Sequence, residues 1–328
     1  MNILIIGDIM LDINYNSKIE RNAPEANIPI YNILGVNYIL GGASNVAQNL
    51  KNLETNIELI SVIGNDTHGE IIHKILNEKN IQNKLFIDKE RKTTQKNRIF
   101  KDNNIKVRYD IEDTYEVNNY IINDILTYII NKKDINGIII SDYAKGLITN
   151  ELCEKLIEYS NKNNIYTFID PKTKNYTKYK NCFCFKPNLI EAECISNEKD
   201  IQKMIDFIKI NINCKNIILT SGEKGIFVNN FLNNIKHNEF IDVIDVTGAG
   251  DIVLSVLVYV FLIYKDIVLA SKIANYIAGK SVRTIGNYNM CLNDIAEYFD
   301  INTNKTKIIY DYEDDKIKQI KKYNNYKK

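Results

Sequence analysis

Short β-branched runs alternate with helix-period stretches along most of this chain, and that alternation limits the fold more than any other feature. Strands are expected at Ile3–Ile6, Ile57–Ile63, Gly137–Ser141, Tyr166–Ile169, Cys182–Phe185, Asn216–Thr220 and Gly225–Val228. Helices are expected at Ala43–Leu53, Ile71–Asn80, Tyr120–Asn131, Asn150–Asn161, Lys199–Ile210, Gly250–Ile263 and Ile267–Val282. The strands are apolar on both faces, as in a sheet covered on both sides. The fold class is therefore α/β, a mostly parallel sheet with helices on both faces.

Two segments break the alternation. Residues 23–40 contain extended pieces with no helix between them, and Gln95–Lys101 and Lys106–Tyr109 flank Asp102-Asn-Asn104 as a hairpin would. Together they suggest a small β-lid, from about 12–40 and 93–111, outside the main sheet. A lid can exclude water from a reacting group; it can also serve as a dimer surface.

Composition removes several function classes. The formal net charge of +1, from 42 basic and 41 acidic residues, gives no electrostatic case for nucleic acid or an anionic membrane surface. The longest apolar run, Ile252–Ile263, falls well short of the roughly 20 residues a membrane helix needs. No signal peptide is visible, and the 6 cysteines form no C-x-x-C pair. They read as reduced thiols, so the expected location is cytoplasmic. Cys182 and Cys184 are expected to share one face of a buried strand and to pack there.

The chemistry concentrates at Asp245-Val-Thr247-Gly248-Ala249-Gly250-Asp251, a glycine turn running into the apolar helix. Glycines let successive N–H groups converge, and the helix N-terminus adds positive potential. That makes an anion hole with a carboxylate, Asp251, at its rim, as transfer of a phosphoryl group to a hydroxyl requires. The plain alternative is a helix start with a dipole-favoured aspartate. Gly41-Gly42-Ala-Ser-Asn45 opens another helix, either for sugar hydroxyls or as an ordinary start with a Ser or Asn cap. Gly7-Asp8 and Asp12 follow the first strand, at the edge where open α/β sheets bind ligands. Asp142, Asp170 and Thr220-Ser-Gly222-Glu-Lys-Gly225 end other strands on that edge. Asn188-Leu-Ile-Glu191 puts an amide and a carboxylate on one helix face. They can hold Mg²⁺ through water, or simply cap the helix.

Two stretches imitate a P-loop: Gly64-Asn-Asp-Thr-His-Gly69-Glu70 and Ala274-Asn275-Tyr-Ile-Ala-Gly279-Lys280-Ser281. The first has Glu for Lys. The second reads as part of one helix, without the strand and loop such a motif needs. His68, His73 and His237 form no metal set or nucleophile–base pair.

As a set, these motifs resemble the ribokinase-like (PfkB) sugar kinase superfamily over about 1–299. Within it the chain looks most like the D-glycero-β-D-manno-heptose 7-phosphate kinase branch. The branch residues are Gly7-Asp8-Ile-Met-Leu-Asp12, Arg21-Asn-Ala-Pro-Glu-Ala-Asn-Ile-Pro-Ile30, Thr93-Thr-Gln-Lys-Asn-Arg98, Arg108-Tyr-Asp110, Ser141-Asp-Tyr-Ala-Lys-Gly146 and Asp170-Pro-Lys172. The resemblance implies ATP-dependent phosphorylation of the anomeric hydroxyl of heptose 7-phosphate, towards ADP-heptose. It makes Asp251 the base and Gly248, Ala249 and Gly250 the anion hole. Asp12, Gly42, Asn45 and Asp142 would meet the sugar, and Arg98 and Lys172 its 7-phosphate. Thr220, Gly222, Gly225, Asn275 and Gly279, with Asn188, would line the nucleotide site. Asn188 and Glu191 would hold Mg²⁺ through water, and Asp245 and Thr247 mark a site for a monovalent cation such as K⁺. A homodimer through the lid is expected. Residues 1–301 would form the kinase domain and 302–328 a charged tail resembling a linker, with Ile308-Ile-Tyr310 packing locally. Many relatives continue into an adenylyltransferase, but no His-x-Gly-His site occurs here, so kinase activity alone is expected. Another sugar substrate, or a silent binding protein, are the competing readings.

Overall fold

The computed structural model describes residues 1–328 except 174, 231, 233, 237–241, 285, 287 and 304–328. His237 and the tail with Ile308-Ile-Tyr310 therefore lie outside the described residues.

The first half holds strands β1 (Asn2–Gly7), β2 (Ile9–Asn22), β3 (Pro29–Gly42), β4 (Asn56–Gly64), β5 (Asn83–Asp88), β6 (Gln95–Lys101), β7 (Asn104–Ile111) and β8 (Gly137–Ser141). Among them run helices α1 (Ala43–Asn52), α2 (Thr67–Glu78) and α3 (Asn119–Ile130). The second half begins with α4 (Asn150–Lys162), β9 (Tyr166–Asp170), β10 (Cys184–Phe185), α5 (Leu189–Ser196) and α6 (Ile201–Ile212). It continues with β11 (Asn216–Thr220), β12 (Ile226–Val228), β13 (Asn234–Ile235), α7 (Ala249–Tyr264), α8 (Ile267–Ser281) and α9 (Leu292–Thr303). The central sheet has the order β13-β12-β11-β10-β9-β8-β1-β4-β5. It is parallel from β11 to β5, and β12 and β13 add an antiparallel edge.

Alternation along each strand feeds two cores. Ile3 and Ile5 of β1 point into the core shared with α1, α2, α7, α8 and α9, while Leu4 and Ile6 point into the core shared with α3 to α6. Helix α7 is buried from Asp251 to Leu262, which explains its apolar surface all round. The long strands expected for a covered parallel sheet are present, but β10 is only two residues long. Cys182 precedes it in a turn and packs with Phe185 in one core, while Cys184 packs in the other. The expectation that the two thiols share a face is corrected on that ground: strand alternation does not reach back to Cys182. No described helix is long and apolar enough to cross a membrane.

The lid is a second sheet, β3-β2-β6-β7. β2 and β3 are 14 residues each, longer and more continuous than their sequence suggests, and Asp12 lies within β2. β2 leaves the main body directly after Asp8, so the lid hangs from the carboxyl edge of the parallel sheet. The helix α8 runs unbroken through Gly279-Lys280-Ser281, so this stretch is no P-loop.

Candidate active site

The loop before α7 is organised by its own aspartate. Asp245 accepts from the Thr247 amide (2.9 Å), the Thr247 hydroxyl (2.7 Å) and the Gly286 amide (2.8 Å). The Thr247 hydroxyl first, and then the Gly286 amide, hold its carboxyl below the usual range. Gly248 then turns at φ 73°, in the left-handed region, and starts α7 without a side-chain cap. Asp251 follows in the first turn and is 7% exposed. Its Oδ1 accepts from the Tyr143 hydroxyl at 2.8 Å and its Oδ2 from Asn45 Nδ2 at 3.0 Å. Burial, reinforced by Asp170, pushes its pKa up to about 6, against the pull of those two hydrogen bonds and of Lys186. A carboxylate that is ionised at pH 7 yet unusually basic suits the work of a general base.

Tyr143 was not singled out from the sequence, although it lies in Ser141-Asp-Tyr-Ala-Lys-Gly146. Its loop is held from three sides. Asp8, at the end of β1, accepts from the amides of Tyr143 (2.8 Å), Lys145 (3.1 Å) and Leu147 (3.3 Å). Gly146 has φ 91°, and a Cβ there would lie 1.9 Å from the Tyr115 carbonyl. The buried Arg91 donates to the Tyr115 carbonyl (2.7 Å) and the Lys145 carbonyl (2.5 Å) and pairs with Asp88. Asp142 was expected at the sugar; the structure turns it inward instead. It is 3% exposed and takes the Ala144 amide, the Tyr179 hydroxyl and the Lys178 ammonium. A carboxylate so engaged shapes the loop and has no face left for a substrate.

Asp12, Gly42 and Asn45, expected at the sugar, lie on β2, at the end of β3 beside Gly41, and at the start of α1. Gly42 has φ 66°, and a Cβ there would sit 2.4 Å from the Asp8 carbonyl. A Cβ on Gly41 would meet the Asp12 carboxylate at 2.6 Å, so glycine leaves that oxygen room. Arg98 pairs with Asp12 at 2.5 Å. The guanidinium expected at a distant phosphate thus sits on Asp12, the carboxylate expected at the sugar.

Lys172 is drawn elsewhere too. Its ammonium pairs with Glu191 Oε1 at 2.8 Å and lies 5.5 Å from the centre of the Tyr143 ring. Asn188 and Glu191 form a reciprocal capping box at the start of α5, the simpler of the two roles their spacing allowed. The buried Lys186, which the sequence reading passed over, pairs at 2.9 Å with the partly buried Asp170. No group of three carboxylate, His or Cys side chains that could hold a metal occurs among the described residues. Each Glu191 oxygen already accepts one hydrogen bond and retains a second lone pair. The pair therefore fits Mg²⁺ only through its water shell, with the inner ligands coming from phosphate.

The expected nucleotide residues divide in two. Thr220 ends β11 beside Asn188, and Gly222 stands open in the following turn. Gly225 has φ 81°, and a Cβ there would strike the Ile235 carbonyl at 2.0 Å. Asn275 is buried and donates to that same carbonyl at 3.2 Å, and Gly279 is buried within α8. These last three are engaged in internal packing. The charge of Lys280 is absorbed by Asp294 (2.6 Å) and Glu297 (2.7 Å).

A buried carboxylate at a helix N-terminus, on the carboxyl edge of a parallel sheet and beside a β-lid, is an arrangement suited to a phosphotransferase acting on a small hydroxyl compound. The family model for "pfkB family carbohydrate kinase" matches residues 1–294. The chain belongs to that family and is an ATP-dependent sugar kinase. It is 33% identical over 304 residues to the "Bifunctional protein HldE" of Aliarcobacter butzleri, covering 90% of this chain and 64% of that protein. It is 34% identical over 303 residues to the protein of the same name from Campylobacter jejuni subsp. doylei, with the same shares. The chain thus spans less than two-thirds of these relatives. In fold it is similar to Escherichia coli phosphofructokinase-2 in complex with potassium (TM-score 0.75, 15% identity, 92% and 98% of the chains). It is also similar to Giardia lamblia ribokinase (TM-score 0.70, 16% identity, 90% and 99%).

Proposed function

We propose that the chain transfers the γ-phosphoryl group of ATP to the anomeric hydroxyl of D-glycero-β-D-manno-heptose 7-phosphate, giving the 1,7-bisphosphate. The observation that carries the reading is Asp251, buried, raised to about 6 and aimed by Tyr143 and Asn45. The relatives named HldE support the heptose substrate.

In this reading Asp12, Gly42 and Asn45 hold the sugar with its anomeric hydroxyl against Asp251. The hydroxyl oxygen attacks the γ-phosphorus as its proton passes to Asp251. The new P–O bond forms as the bond from the γ-phosphorus to the bridging β,γ oxygen breaks, and ADP departs. The amides of Gly248, Ala249 and Gly250, at the α7 N-terminus, receive the equatorial oxygens. Thr220 and Gly222 lie under the nucleotide. Glu191 and Asn188 would hold a water of the Mg²⁺ that accompanies ATP, which would supply charge neutralisation. Asp245 and Thr247 already bond each other, so their part is to shape the anion hole, and no step is assigned to K⁺.

A homodimer through the outer face of the lid belongs to the same reading. Val36, Tyr38, Val107 and Tyr109 stand exposed across that sheet, and a second copy would cover them. A cytoplasmic location fits a consumer of ATP with six free cysteines.

The test is ADP release from Mg-ATP with heptose 7-phosphate, unphosphorylated heptose, ribose and fructose 6-phosphate, with Asp251→Asn as control. Turnover confined to heptose 7-phosphate and lost in the variant is the expected result. Turnover with another sugar discards the substrate and keeps the base. No turnover from folded protein discards both.

A further inference from the structure

The inner face of the lid carries cations in excess of what a neutral sugar needs. Strand register places Lys96 between Asp12 of β2 and Asp110 of β7, with Arg98 and Arg108 two residues along on the same face. Arg98 is taken by Asp12 (2.5 Å), Arg108 by Asp110 (2.8 Å) and Lys145, across the cleft, by Glu112 (2.7 Å). Lys96 has no carboxylate within ion-pair distance among the described residues. Its ammonium lies instead 6.0 Å from the centre of the Tyr143 ring, whose hydroxyl donates to the base Asp251 at 2.8 Å.

We infer that Lys96, unpaired on the inner face of the lid, is the residue that receives the phosphate already present on the sugar and so determines specificity for phosphorylated over unphosphorylated substrates. The proposal rests on the sugar-phosphate reading above and names the group within it that neither Arg98 nor Lys172 supplies. A half-buried lysine whose two neighbouring carboxylates, Asp12 and Asp110, are each already paired with an arginine is a costly arrangement unless an anion arrives. Burial, with Arg108 and Lys145 close by, holds this ammonium below the usual lysine range, although Asp12 and Asp110 pull the other way. A phosphate dianion bound there removes that mismatch and gains charge-assisted hydrogen bonds. The geometry also fits a single substrate. Asp12 lies beside Lys96 for the hydroxyls, and Tyr143 links the same spot to the reacting end. Because Lys96 sits on the lid, binding the phosphate also draws the lid onto the substrate, where water exclusion helps transfer.

The experiment compares wild type, Lys96→Ala and Lys96→Arg. It uses titration calorimetry with heptose 7-phosphate and with unphosphorylated heptose in the absence of nucleotide, and steady-state kinetics with Mg-ATP. Lys96→Ala is expected to weaken heptose 7-phosphate binding and raise its KM by about 10- to 100-fold. KM for ATP and the affinity for unphosphorylated heptose should stay within about twofold, and Lys96→Arg should recover most of the loss. An unchanged KM, or equal weakening of both sugars, overturns the assignment and leaves the kinase reading standing. A wild type that binds both sugars equally overturns it together with the phosphorylated substrate, whereas loss of the Asp251→Asn contrast would strike the kinase mechanism alone.

Discussion

Replacing Asp251 with Asn should lower activity by orders of magnitude and make the protein more stable, the latter only at neutral and alkaline pH. The reason lies in where the carboxylate sits. Burial, with Asp170 nearby, raises its pKa from 3.8 to about 6. At about 1.36 kcal/mol per pH unit, ionising it in the fold costs about 3 kcal/mol relative to the unfolded chain. The sign follows from the proton. The folded state binds it more tightly, so the stabilisation from the protonated form is complete below about pH 4 and is lost as pH rises through 6. An amide carries no such cost. Asn keeps an acceptor for Tyr143 but turns an NH₂ towards Asn45, so about 1 kcal/mol returns as a weakened hydrogen bond. The net gain at pH 8 is about 1–2 kcal/mol, or a rise in Tm of about 2–3 °C for a domain of this size. Loss of a general base lowers kcat by about 10²- to 10⁴-fold. Urea and thermal melts of both proteins at pH 4.5 and pH 8, beside ADP-release assays, measure all of this. Asp8, which burial also raises to about 6, is common to both proteins and cancels in the comparison. A variant no more stable than wild type at pH 8, or a difference independent of pH, would refute the reasoning.

Three further outcomes are expected. Tyr143→Phe removes a hydrogen bond that lowers the Asp251 pKa, so the acid limb of kcat/KM should move upward from near pH 6 by about one unit; an unmoved limb with reduced kcat would make Tyr143 merely structural. Gly42→Ala forces a side chain into a left-handed φ of 66°, 2.4 Å from the Asp8 carbonyl. It should destabilise by about 2–4 kcal/mol in urea unfolding, and a loss below about 0.5 kcal/mol would contradict the close approach. Val36→Lys places a charge on the exposed apolar face of the lid. Sedimentation should then show a monomer at micromolar concentration where wild type is a dimer, and an unchanged mass would remove this face as the interface.

Apolar periodicity by itself determined the layered α/β body, because the strands and helices that bury residues at periods of 2 and 3.6 must cover each other. It also marked the carboxyl-edge motifs, since Gly248, Gly42 and Gly225 are glycines at left-handed φ and no other residue is comfortable there. Asp251 was legible because its helix, its turn and its charge lie within seven consecutive residues. What the sequence left open is which charge meets which. Arg98 on Asp12, Lys172 on Glu191, Lys178 on Asp142 and Tyr143 on Asp251 join residues 19 to 108 positions apart. Asn188 and Glu191 suited metal and cap equally from their spacing; the structure shows the capping box and a Lys172 pair on Glu191. Even the two cysteines of Cys182-Phe-Cys184 part company because the strand begins later than its composition implies. Local spacing sets where a side chain starts, but its partner is chosen by strand register and crossover packing. Only the tertiary structure therefore decided that Arg98 and Lys172 are engaged with carboxylates, while Lys96, on the same lid face as Arg98, has none at ion-pair distance among the described residues.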